Sequence, residues 1–312
     1  MLKRTQNKVA ESRIALPVIA TYGVLIWLAA GLVTQMWWVQ FLCITAAAYL
    51  MVELNNQNAL IRIYSRMVSC SFLVLTCTTV FLFPSWQACV GTLFFAAFLL
   101  LLFRNYQNKQ SPGSTFYAFC LFGLASLIFP HVLYFLPICW ILMGSRLQML
   151  SWRTLCGSLL GVLTPYWLLL PYVFWTNSMD RFYTHFEQLA QFETPFDFES
   201  WTVSHWLCYV LFIVLGFIGM VHYTRQRYQD KIRTRMLFDC FNVFLWTSAV
   251  WLAVQPQHVE LLLPIMTISV SPLVAHFIAL THTRWTNIAF YVILAVTFTV
   301  TAINLWMSLS QL

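Results

Sequence analysis

The sequence predicts an all-α protein, a polytopic transmembrane helical bundle of about 11 helices with a cytoplasmic amino terminus and an external carboxyl terminus. Two observations carry this. First, the 312 residues are 60% hydrophobic and 9% charged, whereas an ordinary soluble domain carries roughly 25% charged residues. Second, sixteen of the seventeen Lys and Arg residues fall in segments that can all lie on one side of a membrane, with long apolar runs between them. These are Lys3, Arg4, Lys8 and Arg13; Arg62 and Arg66; Arg104 and Lys109; Arg146 and Arg153; Arg225, Arg227, Lys231, Arg233 and Arg235; and Arg284. Only Arg181 stands apart. Cationic side chains are retained on the cytoplasmic side, so their placement orients every connection. The formal charge of +7 is thus a topological signal, and no nucleic-acid motif accompanies it.

A bilayer core about 30 Å thick takes about 20 helical residues. Spans are predicted at 14–34, 37–53, 67–84, 87–103, 155–175, 206–223, 238–254, 260–280 and 287–310. The first follows a basic terminus but exceeds a signal-peptide core, so it reads as a retained helix. The stretch 114–145, interrupted by Pro130 and His131, is too long for one untilted span. Arg104 and Lys109 precede it, and Arg146 and Arg153 follow it. Both flanks want the cytoplasm, so the number of crossings between them is even. A hairpin of two short helices near 116–144, turning at Phe129-Pro130-His131 and either thinly spanning or re-entrant, meets that demand. The whole of 1–312 reads as one integral membrane domain. Trp37, Trp38, Trp86, Trp175, Trp201 and Trp206 fall near outer span ends, as an aromatic belt requires. The nine cysteines lie in apolar runs with no CxxC pair, which suits packing and not a disulfide framework or zinc site.

The external segment 176–205 holds Asp180, Glu187, Glu193, Asp197 and Glu199, five of the ten acids in the chain. Phe182, Phe186 and Leu189 recur there at helical spacing, which predicts a short amphipathic helix on the outer membrane surface. The segment is either a solvated loop or a lid, with Asp180 as a catalytic candidate and Arg181 and His185 as substrate contacts. A second candidate is the outer turn Gln255-Pro256-Gln257-His258-Val259-Glu260. A carboxylate there orients a hydroxyl nucleophile or a cation, and an imidazole shuttles protons. His258 and Glu260 are therefore catalytic candidates, with Gln257 and the hairpin's His131 as substrate contacts. The carboxamide run Glu53-Leu54-Asn55-Asn56-Gln57-Asn58 is either a ligand site or a connection in which Asn58 caps a helix beginning at Ala59. His222, His276 and His282 sit near cytoplasmic ends, where solvation accounts for them. No buried Asp or Glu is expected, which argues against an ion-coupled transporter. Gly157 and Gly161 form a GxxxG read as internal packing in preference to dimerisation. No hydrolase, P-loop, zincin or dinucleotide motif occurs, so no cofactor and no metal site are expected.

The stretch 126–172, SLIFPHVLYFLPICWILMGSRLQMLSWRTLCGSLLGVLTPYWLLLPY, resembles an uncharacterised family of polytopic inner-membrane proteins of Bacteroidota-type bacteria. The features that carry the likeness are the Phe129-Pro130 hairpin, the Ser151-Trp152-Arg153 turn and the Gly161-to-Tyr166 helix, and span order extends it along the chain. More distantly, Pro256 to Pro272 resembles the late proline-containing helix of C-type membrane glycosyltransferases, which take sugars from polyprenyl-phosphate donors. That resemblance implies a bacterial inner-membrane location, the lipid bilayer as partner and a polyprenyl-phosphate-linked substrate. It also implies an essential acid in the first external loop. Here that loop, Gln35-Met36-Trp37-Trp38-Val39-Gln40, has no carboxylate. Either the acid comes from elsewhere or the chain is a non-catalytic relative. Three readings follow: a glycosyltransferase-like protein of lipid-linked glycan handling, a non-catalytic membrane subunit or scaffold, and a lipid or solute carrier, for which the broken hairpin argues.

Overall fold

The computed structural model describes residues 4–191 and 194–310, with Arg181 described by its backbone alone. Thirteen α-helices occur among the described residues, and no strand: α1 Thr5–Glu11, α2 Ala15–Ala29, α3 Trp38–Asn58, α4 Met67–Thr78, α5 Trp86–Arg104, α6 Pro112–Ile128, α7 Leu136–Ser145, α8 Trp152–Trp175, α9 Met179–Ala190, α10 Val203–Gln226, α11 Ile232–Val254, α12 Val259–Leu280 and α13 Arg284–Leu309. Seven are long and apolar enough to cross a membrane, and α1 with α2 forms an additional pair bent by 89°. Three shorter apolar helices, α4, α6 and the Pro130–Ser145 limb ending in α7, complete the bundle. The chain is a multi-pass membrane protein.

Helix α12 is the axis. It is apolar all round, and such a helix is stable only when surrounded. Every residue from Leu261 to Leu280 is buried, with α4, α5, α10 and α11 packed around it. Gly216 and Gly219 let α10 approach closely: a Cβ on Gly219 would lie 2.7 Å from Leu273 Cβ. The tightest pair is α6 with α8. A Cβ on Gly157 would meet the Pro112 carbonyl at 2.8 Å, and one on Gly161 the Phe116 carbonyl at 2.5 Å. The GxxxG is thus an internal contact in which missing side chains allow backbones to touch.

The hairpin is present, and its ends meet. Gln107 N donates to Leu147 O at 2.8 Å, and Ser151 Oγ to Lys109 O at 3.0 Å. The chain therefore returns to the end it left, as charge parity required. The turn is a 3-10 helix, Pro130–Phe135. Seventeen residues of α6 rise about 25 Å, a little short of the hydrocarbon core.

The basic segments gather at one end of the bundle. Arg62 reaches Gln226 and Asp230, Arg146 reaches Asp239, and Arg233 reaches Asn58 and Phe103 O. The opposite end joins the hairpin turn, α9, the Pro256–His258 turn and the last turns of α13.

Three expectations need correction. Asn58 does not cap a new helix: α3 runs through it, Ala59 closes the helix in a left-handed conformation at φ 47°, and the following residues are irregular. The carboxamides instead brace that loop, with Asn55 Nδ2 donating to Ser65 O at 3.0 Å. Helix α4 stops at Thr78, well before residue 84. Its terminal Thr78 carbonyl, which an early stop would leave unsatisfied in an apolar interior, accepts Asn304 Nδ2 at 2.7 Å and faces Cys208 Sγ at 3.3 Å. Finally, buried carboxylates do exist. Asp230 and Asp239 are 6% and 9% exposed, and His276 is fully buried.

Candidate functional site

Polar side chains gather in a closed network at the basic end and line two open cavities at the other. In the network at the basic end, His276 Nε2 lies 3.0 Å from Asp230 Oδ2. Arg146 Nη1 lies 3.1 Å and Arg227 Nη2 3.9 Å from Asp239 Oδ2. The Tyr223 hydroxyl, on a fully buried ring, lies 2.8 Å from Arg235 O and 3.2 Å from Asp239 Oδ1. Charges this deep survive only when paired. Solvation does not account for His276, contrary to expectation, because its partner carboxylate arrives from the α10–α11 connection. One sequence signal existed: Asp230 is the only acid amid five Arg and Lys residues, and Asp239 stands within an apolar helical run.

The first cavity, about 640 Å³, opens at the opposite end between α8 and α9. Its wall is mixed: the apolar Leu127, Leu169, Val173 and Phe182 stand among the polar Tyr166, Thr176, Asn177, Ser178, Asp180 and His185. Helix α9 presents the Phe182 and Phe186 rings on one face, 5.1 Å apart, and Phe186 lies 5.3 Å from Tyr166. Ser126 Oγ donates to Gly123 O at 2.7 Å. Its single proton being used, the Tyr166 hydroxyl 2.8 Å away is the donor in that pair. His185 is half-buried. Burial pushes its imidazole below the usual histidine range, with the Ser126 backbone as a weaker opposing influence. The side chain is therefore neutral at neutral pH, and its Nε2 has no partner.

The second cavity, about 450 Å³, lies between the α4–α5 connection, the start of α10, the Pro256–His258 turn and the end of α13. Gln257 and Glu260 line it. Glu260 is exposed, and its Oε2 accepts the Ser85 hydroxyl at 2.7 Å.

The sequence-derived candidates are thus divided. Asp180 and His185 share the first cavity; Gln257 and Glu260 share the second. The His131 and His258 rings meet at a tilt of 40° with centroids 4.0 Å apart, and neither is among the residues lining those cavities. The side chain of Arg181 lies outside the described residues. Asp180, His258 and Glu260 do not converge on one cavity. Sequence reasoning missed Tyr166 and Asn304, whose roles depend on helices that meet them from elsewhere in the chain. Among the described residues no group of three or more His, Cys, Asp or Glu side chains is placed to hold a metal ion.

Comparison with protein-family models, with curated proteins and with solved structures finds no match for this chain.

Proposed function

We propose that this protein works at the outer face of a bacterial inner membrane in lipid-linked glycan handling, as a glycosyltransferase-like bundle whose α8–α9 cavity receives the head of a polyprenyl-phosphate-linked substrate. The observation that carries the reading is the cavity's mixed wall, in which apolar and polar side chains are interspersed. An amphiphile matches such a wall, since its chain is buried at no cost against apolar groups while its head keeps hydrogen bonds. The α8 flank beside it exposes Trp167, Leu168, Tyr172, Phe174 and Trp175, an apolar surface suited to a prenyl chain. In this reading Asp180 accepts from sugar hydroxyls, the neutral His185 offers a hydrogen-bonding nitrogen, and Thr176, Asn177 and Ser178 supply neutral polar contacts.

The test is lipid extraction and mass spectrometry of the full chain purified in mild detergent. A polyprenyl-phosphate-linked glycolipid is expected with the wild type and depleted about tenfold in Asp180→Ala and His185→Ala, a loss of about 1.4 kcal/mol in binding. Recovery of bulk phospholipids alone, in membrane proportion, overturns the proposal.

The separation of Asp180 from Glu260 favours a second reading, a non-catalytic membrane subunit. In that case surface glycan is unchanged in cells carrying either alanine variant, while a partner protein co-purifies with both.

A further inference from the structure

The second outer cavity contains polar atoms that the fold leaves unmatched. Asn304 is 1% exposed. Its Nδ2 donates to the Thr78 carbonyl at 2.7 Å and to Cys208 Sγ at 3.2 Å. A carbonyl only accepts, so the amide must present its NH₂ there, which fixes Oδ1 on the other side. That oxygen is shut off from water and has no partner. Gln257 Oε1 is in the same condition. A buried acceptor without a donor is a standing cost that a native structure carries for a reason. Both residues line this cavity, together with the Glu260 carboxylate and the rings of Trp37, Trp201 and Phe81.

What these groups share is sign. Two carbonyl oxygens, one carboxylate and two indoles all attract positive charge. Among the described residues lining the cavity there is no Lys or Arg to neutralise Glu260. The histidine in the described lining, His205, already uses its Nδ1 to accept the Thr202 amide. An anion meets repulsion on such a lining, and a neutral polyol supplies donors but leaves the carboxylate uncompensated. A primary ammonium supplies both: N–H donors for a lining of acceptors, and a charge for Glu260 and the aromatic rings.

We propose that the cavity formed by Glu260, Asn304, Gln257, Trp37 and Trp201 is a binding site for an organic primary ammonium group. Two sources offer that chemistry at a membrane surface: a small free amine, and the amine headgroup of an outer-leaflet phospholipid. The site is separate from the α8–α9 cavity and stands or falls independently of any glycolipid bound there.

The experiment uses the full chain in nanodiscs of phosphatidylglycerol, titrated at neutral pH with ethanolamine and, separately, with its neutral isostere ethylene glycol. Calorimetry reads the binding. Saturable binding of ethanolamine and none of ethylene glycol is expected. Glu260→Gln, which keeps the shape and an acceptor for Ser85, weakens ethanolamine binding by about tenfold or more. Asp180→Asn leaves it unchanged. In nanodiscs containing phosphatidylethanolamine, suppression of ethanolamine binding with retention of that lipid in native mass spectra identifies the headgroup as occupant; undiminished binding identifies a free amine. Equal binding of the glycol and the amine, no binding of either to the wild type, or an unchanged affinity in Glu260→Gln overturns the proposal. The first and second outcomes are read on the wild type, so they hold even if the variant misfolds.

Discussion

At the basic end, Asp230 and Asp239 are buried and face His276, Arg62, Arg146 and Arg227, so their charges are spent inside the protein. At the opposite end, Asp180 and Glu260 open into cavities with no Lys or Arg among the described residues lining them. One end is a clamp that ties α3, α7, α10, α11 and α12 together. The other carries the two open cavities. The difference shows that a carboxylate taken into the interior of a membrane bundle is accompanied by its cationic partners, whereas the two at the open cavities stay exposed.

The largest test of this contrast is Asp230→Ala against Glu260→Ala. Removing Asp230 leaves the fully buried His276 facing empty space and is expected to cost about 3 kcal/mol of stability. Truncating the exposed Glu260 is expected to stay within about 0.5 kcal/mol. Thermal unfolding in detergent checks both, and equal losses would erase the distinction. Next is Asp239→Ala, expected to cost less, about 2 kcal/mol, because Arg146 and Arg227 are 44% and 40% exposed and water replaces part of what is lost. A loss below that of Glu260→Ala would show the clamp to be ornamental at this position.

The smallest effect concerns pH at the outer end. Burial lowers the His185 pKa in the folded state, so the undocked form of α9 binds more protons. Docking is unpenalised above the ordinary histidine pKa of about 6.5 and weakens as pH falls below it. Proteolysis of the α9 region is expected to accelerate between about pH 7 and about pH 5, and His185→Gln to flatten that profile. An accelerated profile that survives the substitution would point to other groups.

Part of this was legible in the residues. The even crossing number of 114–145 follows from the charges that flank it, and the Gln107–Leu147 contact answers it. The amphipathic spacing of Phe182 and Phe186 marks the helix that became α9. By contrast, the network of Asp230 and His276 was hidden, because 46 residues separate them. The polarity of Asn304 in an apolar run was visible, but not its purpose, which is to satisfy a carbonyl 226 residues earlier.

Composition and the placement of cations determined that this chain threads a membrane and which loops share an end. Those are properties of consecutive residues, and lipid reads them one segment at a time. The tertiary structure alone decided which carboxylates are neutralised and which face a cavity. Desolvation and pairing are relations between groups brought together from distant parts of the chain, and no local period records them.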